Sequence, residues 1–250
     1  RWIQFILKLL ENLSTLQIEE FSALERRMFR MFYMTIWGKA FDEESREALA
    51  EKLTALTGSP VMVQELQELI RYQYDQIDFI DEPVDLGFDC PLDLHCSYSR
   101  DQILVAMDFL KPATVREGVK WLPEQKLDVF FVTLNKSDKD YSPTTMYNDY
   151  SINETLFHWQ SQSTTGEQSA TGQRYIHHKE RGSRILLFVR EFKSDRISNT
   201  ASAYTYLGIA NYVKHEGSKP MNITWRLDAP FPQSICERPT SWWWDNTPAM

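Results

Sequence analysis

Apolar residues recur every three or four positions through the first 80 residues, a spacing that predicts a run of amphipathic helices. The first three helices are expected over about residues 2–13, 18–37 and 42–56. A fourth begins at Ser59-Pro60, because proline is well tolerated in the first turn of a helix. The pattern therefore predicts an N-terminal helical bundle over residues 1–82, with methionine and aromatic side chains in its core.

The apolar period shortens after residue 83. A capping box, Ser99 with Gln102, predicts a short helix from Arg100 to Phe109. Five later runs are rich in β-branched and aromatic residues and are bounded by turn formers; they cover residues 119–122, 127–134, 184–192, 204–213 and 221–227. The predicted class is α+β: the helical bundle, then a mixed, mainly antiparallel β-barrel with short helices over residues 83–235, and a tail over residues 236–250.

One long segment between the predicted strands is strongly polar. Residues 161–173 consist mainly of serine, threonine, glutamine and glycine. A segment with so many hydroxyl groups is not expected in a core, and long loops in compact domains are usually functional or mobile. The sequence therefore predicts a functional or mobile loop here.

Composition places the chain among ordinary globular proteins. Of its 250 residues, 42% are hydrophobic and 25% are charged, which excludes a largely disordered chain. The longest apolar runs, such as Ile185–Val189, are far shorter than the roughly 20 residues of a membrane span. Three cysteines without paired spacing favour a reducing, cytoplasmic location. Arg1 as the first residue suggests a fragment whose natural start lies upstream.

Charge is distributed unevenly along the chain. The formal net charge is −8, and residues 1–82 carry 9 Lys and Arg against 15 Asp and Glu. Residues 136–226 instead carry 12 Lys and Arg against 9 Asp and Glu. A basic segment within an acidic chain permits nucleic-acid binding without requiring it, since the local face matters more than the total.

Motifs for catalysis are weak or absent. The chain contains no G-x-x-x-x-G-K-[ST] loop for ATP and no G-x-S-x-G or H-E-x-x-H motif. Glu191-Phe192-Lys193 has the E-x-K spacing of many metal-dependent nucleases, with Asp149 as the one tolerable second acid. The nuclease is therefore an alternative function. Cys90, His95 and Cys96 lack the paired spacing of a zinc site, so no metal ligands are predicted.

Aromatic, amide and hydroxyl side chains are interleaved between residues 135 and 175, a mixture that suits a pocket for a planar base. The base-binding candidates are Asn135, Tyr147, Asp149, Tyr150, Phe157, Trp159 and Gln160. Basic residues nearby could contact phosphates around the pocket; these are Lys136, Lys139, Arg174, Lys179, Arg181, Arg184 and Lys214. Core packing is the competing explanation for each aromatic residue, and a solvated face for each basic one.

Several long strings in this region resemble one bacterial family. They are Arg116–Val119, Phe131–Lys136, Ser142–Tyr147, Phe157–Thr165, Thr171–Ile176 and His215–Gly217. The family is the C-terminal domain of prokaryotic proteins that join a phospholipase-D-like nuclease to a superfamily-two helicase. Some members are type IV, modification-dependent restriction enzymes that cut DNA containing 5-methylcytosine. The resemblance covers about residues 85–230, and a looser one links residues 1–80 to the linker after the helicase.

The resemblance implies a non-catalytic target-recognition module for double-stranded DNA with a modified cytosine, in phage defence. The helicase and nuclease domains would lie upstream in the same polypeptide, and ATP and metal would belong to them, so recognition itself needs no cofactor. A PUA-like or SRA-like barrel that accepts a flipped base is the expected fold by analogy. The first alternative is a helicase-coupling module that binds DNA nonspecifically. Trp242-Trp243-Trp244 is left open between packing on the helices, a homodimer contact and disorder.

Overall fold

The computed structural model describes residues 1–42, 46–77, 82–116, 118–135, 149–194 and 200–231. The chain divides into two compact units. A helical unit comprises Arg1–Asp93 and Arg100–Val115, and a β unit comprises Leu94–Ser99 and the chain from Arg116 onward. This division differs from the predicted boundary at residue 82.

The helical unit contains α1 (Trp2–Glu11), α2 (Ala23–Trp37), α3 (Arg46–Thr57), α4 (Pro60–Asp75) and α5 (Arg100–Ala106). Helix α2 begins after a capping box in which Ser22 and Glu25 each accept a hydrogen bond from the other's backbone N–H, and it ends at Gly38 in the left-handed conformation. The four N-terminal helices predicted from the sequence are therefore confirmed, although α2 starts about five residues later than expected.

Helix α5 belongs to the helical unit because it packs against α2. Asp108, just after α5, accepts hydrogen bonds from both Arg27 and Arg30 of α2. Sequence periodicity assigns each segment its own secondary structure, but it does not reveal such long-range ion pairs. The predicted boundary followed the local change of pattern and so assigned α5 to the β domain.

The β unit contains β1 (Ser97–Tyr98), β2 (Val119–Leu122), β3 (Leu127–Thr133), β4 (Tyr150–Ser151), β5 (Leu156–Gln160), β6 (Arg184–Arg190), β7 (Tyr204–Glu216) and β8 (Asn222–Leu227), with α6 (Ala170–Ile176) between β5 and β6. The strand order is β2-β3-β6-β7-β8-β5-β4, and β1 pairs with the start of β7. Strands β3 and β6 pair in parallel, and the other described pairs are antiparallel.

The sheet is strongly curled. Phe130 on β3 and Trp159 on β5 stack with ring centroids 4.3 Å apart, although three strands separate β3 from β5 in the sheet order. In a flat sheet, four strand spacings would hold these backbones about 19 Å apart. The inner face therefore closes around one aromatic core, to which α6 contributes Tyr175.

Among the described strands, β2 and β4 are the two ends of the sheet, and no pairing joins them. The structure thus confirms a mixed α+β protein with a mainly antiparallel sheet, but this sheet is open, unlike the closed barrel that the sequence led us to expect. The sheet bends at Gly208 in β7, where φ is +84° and the register with β6 shifts.

Part of the polar segment 161–173 is buried, which corrects the expectation that so many hydroxyl groups keep it out of the core. Ser161 and Thr165 are buried, and the Ser161 hydroxyl accepts a hydrogen bond from the Met221 N–H at 2.8 Å. Ser169 caps α6 by accepting from the Gly172 N–H at 3.0 Å. The hydroxyl groups satisfy buried backbone groups, so the polar composition is compatible with the interior.

Within the part of the chain that the structure describes, no helix has both the length and the apolar character needed to cross a membrane.

Candidate nucleic-acid interface

Strand β5 places two of the predicted base-binding residues on one face of the sheet and a third on the opposite face. Phe157 and Trp159 point into the aromatic core, while His158 and Gln160 alternate to the other face of the sheet. Cross-strand pairing extends this second face over β4, β5, β8 and β7. We call it the polar sheet face, and its members are Tyr150, His158, Gln160, Lys214, Asn222, Thr224 and Arg226.

A row of four side chains crosses the polar sheet face. Tyr150 pairs with His158, His158 with Thr224, and Thr224 with Lys214. The Tyr150 and His158 rings are stacked, with centroids 4.6 Å apart and planes 12° apart. Tyr150 is 43% exposed, and the side chain of Lys214 is 66% exposed. The row therefore presents an aromatic stack at one end and a cation at the other, about 14 Å away at the usual strand spacing.

A second row supplies amide and carboxylate groups beside the first. Gln160 donates its Nε2–H to Asn222 Oδ1 at 3.1 Å. The Gln160 backbone N–H donates to Asp149 Oδ1 at 3.0 Å, which places this carboxylate where β4 begins. Donors and acceptors thus lie next to the Tyr150 and His158 rings.

Two cations, Lys214 and Arg226, and one carboxylate, Glu216, which pairs with Asn222 across the strands, contribute to the charge of the polar sheet face. Lys214 lies 3.3 Å from the Glu216 carboxylate, and both side chains are exposed, so water screens this pair. Arg226 is exposed, and no ion pair of its guanidinium occurs within the described part of the chain. Both cations can contact a phosphate without breaking a buried interaction.

Phe157 and Trp159 are core residues in this structure. Phe157 has no exposed surface and Trp159 is 5% exposed, with its ring stacked on Phe130. Neither ring offers a free face to a base, which agrees with core packing, the competing explanation for these residues. Asn135 lies away from the polar sheet face, because it follows β3 and donates its N–H to the Glu191 carbonyl. Tyr147 lies outside the described residues.

Arg174 has a partner inside the protein. It forms two hydrogen bonds with the fully buried Asp128 carboxylate, at 2.7 and 2.9 Å, and stacks on Trp121 at 4.3 Å. Burial raises the pKa of Asp128, and Arg174 opposes that rise. The guanidinium thus stabilises a buried carboxylate, which competes with the predicted phosphate contact.

The other predicted phosphate contacts are dispersed. Lys179 and Arg181 are exposed in the turn between α6 and β6, and Arg184 is the half-buried first residue of β6. Lys136 and Lys139 lie outside the described residues. Of this set, Lys214 lies on the polar sheet face.

The buried His178 side chain connects the turn between α6 and β6 to strand β7 through hydrogen bonds. His178 Nε2 accepts the Tyr212 backbone N–H at 3.1 Å, and its Nδ1–H faces the Ser183 carbonyl at 3.3 Å. Burial lowers the pKa of His178. These contacts require the neutral ring, so His178 has a structural role at neutral pH.

The two acidic residues of the nuclease alternative, Asp149 and Glu191, lie next to strands that are not neighbours in the sheet. Asp149 precedes β4 at one end of the sheet, whereas Glu191 follows β6. No three His, Cys, Asp or Glu side chains come together as metal ligands in the described ranges. Burial also raises the pKa of the Cys90 thiol to about 11, which disfavours the thiolate that binds metals.

Sequence reasoning found part of the polar sheet face and missed the rest. It selected Asp149, Tyr150, Gln160 and Lys214, and it missed His158, Asn222, Thr224 and Arg226. The available signal was the alternation of polar and apolar residues in Phe157-His158-Trp159-Gln160 and in 222–227, which places the missed side chains on one face.

Comparison with known proteins gives one family. The family described as "Domain of unknown function (DUF3427)" matches residues 92–238, which is more than half of the chain. No curated protein matches the sequence.

Proposed function

The chain belongs to this family of unknown function, DUF3427, and we propose that its β unit is a DNA-recognition module that reads a modified cytosine through the polar sheet face. The modified base is 5-methylcytosine or a close relative, presented by base flipping. The observation that carries the proposal is the exposed Tyr150 ring, stacked on His158 and in cross-strand register with Lys214. The module would serve an ATP-dependent restriction endonuclease whose helicase and nuclease domains lie upstream.

Stacking offsets the cost of removing a base from the duplex. Flipping costs a few kcal/mol, and stacking on an aromatic side chain returns about 1–3 kcal/mol per base. His158 holds the Tyr150 ring in place, so little side-chain entropy is lost when a base stacks on it. Arg226 and Lys214 supply phosphate contacts on the same face.

The groups beside the ring match the edge of cytosine. Its exocyclic amino group is a donor that a carboxylate accepts, and Asp149 provides one. Asp149 accepts the Gln160 N–H through Oδ1, which holds its carboxylate beside the Tyr150 ring. The Gln160 and Asn222 amides can serve the ring nitrogen and the carbonyl.

Discrimination of the modification needs more than the buried methyl group. Burying one methyl contributes about 0.8 kcal/mol, only a few-fold in affinity. The remaining preference would come from the shape of the site. The curled sheet supports the analogy with PUA-like and SRA-like barrels, which accept flipped bases, and that analogy concerns the fold alone.

The location of the site is tested by replacing one exposed tyrosine in each unit. We expect Tyr150→Ala to weaken binding to a 5-methylcytosine duplex about tenfold, since one stacked base contributes 1–3 kcal/mol. Tyr72→Ala is the matched control, because Tyr72 is 60% exposed on α4. Fluorescence anisotropy measures both affinities, and circular dichroism checks folding. Equal affinities for the two variants would remove the polar sheet face from the proposal.

A coupling module is the second candidate, and α4 provides its support. Three large hydrophobic side chains on α4 are exposed to solvent: Val61, Leu69 and Tyr72 are 72%, 56% and 60% exposed. Such a surface suits a protein contact. This candidate predicts DNA binding that ignores modification and falls steeply with salt.

A further inference from the structure

Helix α4 is apolar on two opposite sides. Val63, Leu66 and Ile70 are half-buried and pack on the core of the helical unit. Large hydrophobic side chains on the same helix are instead 46% to 72% exposed; these are Val61, Met62, Leu69 and Tyr72. At 3.6 residues per turn they project from the side that faces away from the core. A surface helix normally has one apolar stripe, so a second stripe indicates a contact with another element.

The exposed residues have the spacing of a helix–helix contact. One row follows the three- and four-residue steps of the contact positions a and d in a heptad; it consists of Met62, Glu65, Leu69 and Tyr72. A flanking row lies at position g and consists of Val61, Glu68 and Asp75. We call these seven residues the outer α4 face. The 16 residues of α4 span about 24 Å, which is enough for one partner helix to lie along them.

The outer α4 face is acidic. Its three charged residues are all carboxylates, namely Glu65, Glu68 and Asp75, and all three are exposed. The cation of α4, Arg71, lies 3.4 Å from Glu11 of α1 and pairs with that carboxylate. In paired helices the residues at position g determine which partner is accepted, because they face charged residues of the other helix. The face therefore favours a partner helix with lysine or arginine at its edges.

The same charges disfavour other occupants. A second copy of the chain would bring three further carboxylates against the outer α4 face, and like charges across an interface are destabilising. Segment 232–250 contains three tryptophans, but it carries Arg238 against Glu237 and Asp245 and so adds no positive charge. The phosphates of DNA would be repelled for the same reason.

We propose that the outer α4 face binds a basic amphipathic helix of a partner protein. The apolar side of that helix packs along Met62, Leu69 and Tyr72, and lysine or arginine side chains at its edges contact the three carboxylates. The surface belongs to the helical unit, so this inference does not depend on DNA recognition by the β unit. It names the kind of partner that the coupling module of the second candidate function would bind.

Two synthetic peptides of 16 residues, the length of α4, test the charge of the partner. Both have leucine at positions a and d of the heptad, and they differ in having either lysine or glutamate at positions e and g. Fluorescence anisotropy with the full chain should show saturable binding of the lysine peptide that weakens with salt. We expect the glutamate peptide to bind at least about tenfold more weakly. Absence of saturable binding of the lysine peptide, or equal affinities for the two peptides, would overturn the proposal.

A charge reversal on α4 locates the contact. The double variant Glu65→Lys with Glu68→Lys should invert the preference, so that the glutamate peptide binds about tenfold more tightly than the lysine peptide. Glu51→Lys is the control, because Glu51 is an exposed carboxylate on α3, and it should keep the preference of the parent chain. A double variant that also keeps the parent's preference would place the peptide elsewhere and overturn the assignment.

A third variant tests the apolar part of the contact. Leu69→Ala should weaken binding of the lysine peptide about tenfold, since Leu69 is buried only in the complex. Two results would identify a different occupant and overturn the proposal. One is a dimer of the parent chain in sedimentation equilibrium that Leu69→Glu dissociates, which would indicate a second copy. The other is peptide binding that occurs only after Trp242, Trp243 and Trp244 are replaced by serine, which would indicate the C-terminal segment.

Discussion

Arg174 and Asp128 form the most deeply buried ion pair described in the β unit, since the Asp128 side chain is fully buried. Removing the cation would leave a carboxylate in the core with no compensating charge. We expect Arg174→Met to lower the free energy of unfolding by about 3–5 kcal/mol at pH 7, as for other broken buried pairs. Urea denaturation measures this loss.

The pH dependence of that variant follows from the carboxyl group. Burial raises the pKa of Asp128 and Arg174 opposes that rise, so without Arg174 protonation of this carboxyl should relieve part of the destabilisation as the pH falls towards 4. The double variant Asp128→Leu with Arg174→Met should recover most of the stability. Lys179→Met, at an exposed neighbouring cation, should stay within about 0.5 kcal/mol. A similarly small loss for Arg174→Met would contradict the structural role of the pair.

His178 predicts a second pH dependence, of opposite sign. Its pKa is lowered by burial, so the unfolded chain takes up the proton more readily than the folded chain. The stability that it contributes is complete above its ordinary pKa of about 6.5 and is lost progressively as the pH falls from there through the lowered pKa of the folded chain. His178→Gln should therefore be less stable at pH 7.5 and show a flatter decline between pH 7 and pH 5.

The neighbouring His177 is the control for this experiment, since its side chain is 40% exposed and faces Glu180. His177→Gln should retain the decline of the parent chain. Denaturant midpoints measured across the pH range give both slopes. A His178→Gln variant that keeps the full decline would show that another group causes it.

At the scale of elements, α6 depends on a glycine contact. A Cβ at Gly172 would lie 2.2 Å from the Gly166 carbonyl oxygen, which is backbone and cannot rotate away. Gly166 is itself packed against Ser218 and Lys219 in the turn before β8. Gly172 thus approaches the backbone of residue 166, and residue 166 in turn contacts the side chains of Ser218 and Lys219, which holds the polar segment in place.

We expect Gly172→Ala to destabilise the chain by about 1–3 kcal/mol or more, because α6 must shift away from residue 166. Thr171→Ala on the same helix should change stability by less than about 0.5 kcal/mol. Thermal or urea unfolding compares the two variants. A neutral Gly172→Ala would show that the close contact is absent.

The sequence predicted most of the elements but not those defined by long-range pairing. Helices α1 to α5 and strands β2, β3, β6, β7 and β8 have a clear apolar period. Strands β4 and β5 and helix α6 are short and rich in polar residues, so periodicity gave no prediction for them. Trp159 illustrates the consequence, since its chemistry suits a base but its strand position places it in the core.

At the scale of the whole molecule, the fold brings together only some of the residues that the sequence suggested for DNA binding. Asp149, Tyr150, Gln160 and Lys214 lie on or beside one face because β4, β5, β8 and β7 are adjacent in the sheet. That adjacency depends on strand order, which residue spacing does not encode. The Lys and Arg residues of segment 136–226 lie on several different elements. Among those that the structure describes, Lys214 and Arg226 lie on the polar sheet face.

The most direct test of the central claim compares matched duplexes that carry one cytosine, 5-methylcytosine or 5-hydroxymethylcytosine. Fluorescence anisotropy of the unmodified chain gives the three affinities at a low and a high salt concentration. A base-reading site predicts a preference for one modified duplex that persists at higher salt, since stacking and edge contacts are screened less than phosphate contacts. Equal affinities for the three duplexes, falling together with salt, would contradict recognition of a modified base and favour the coupling module.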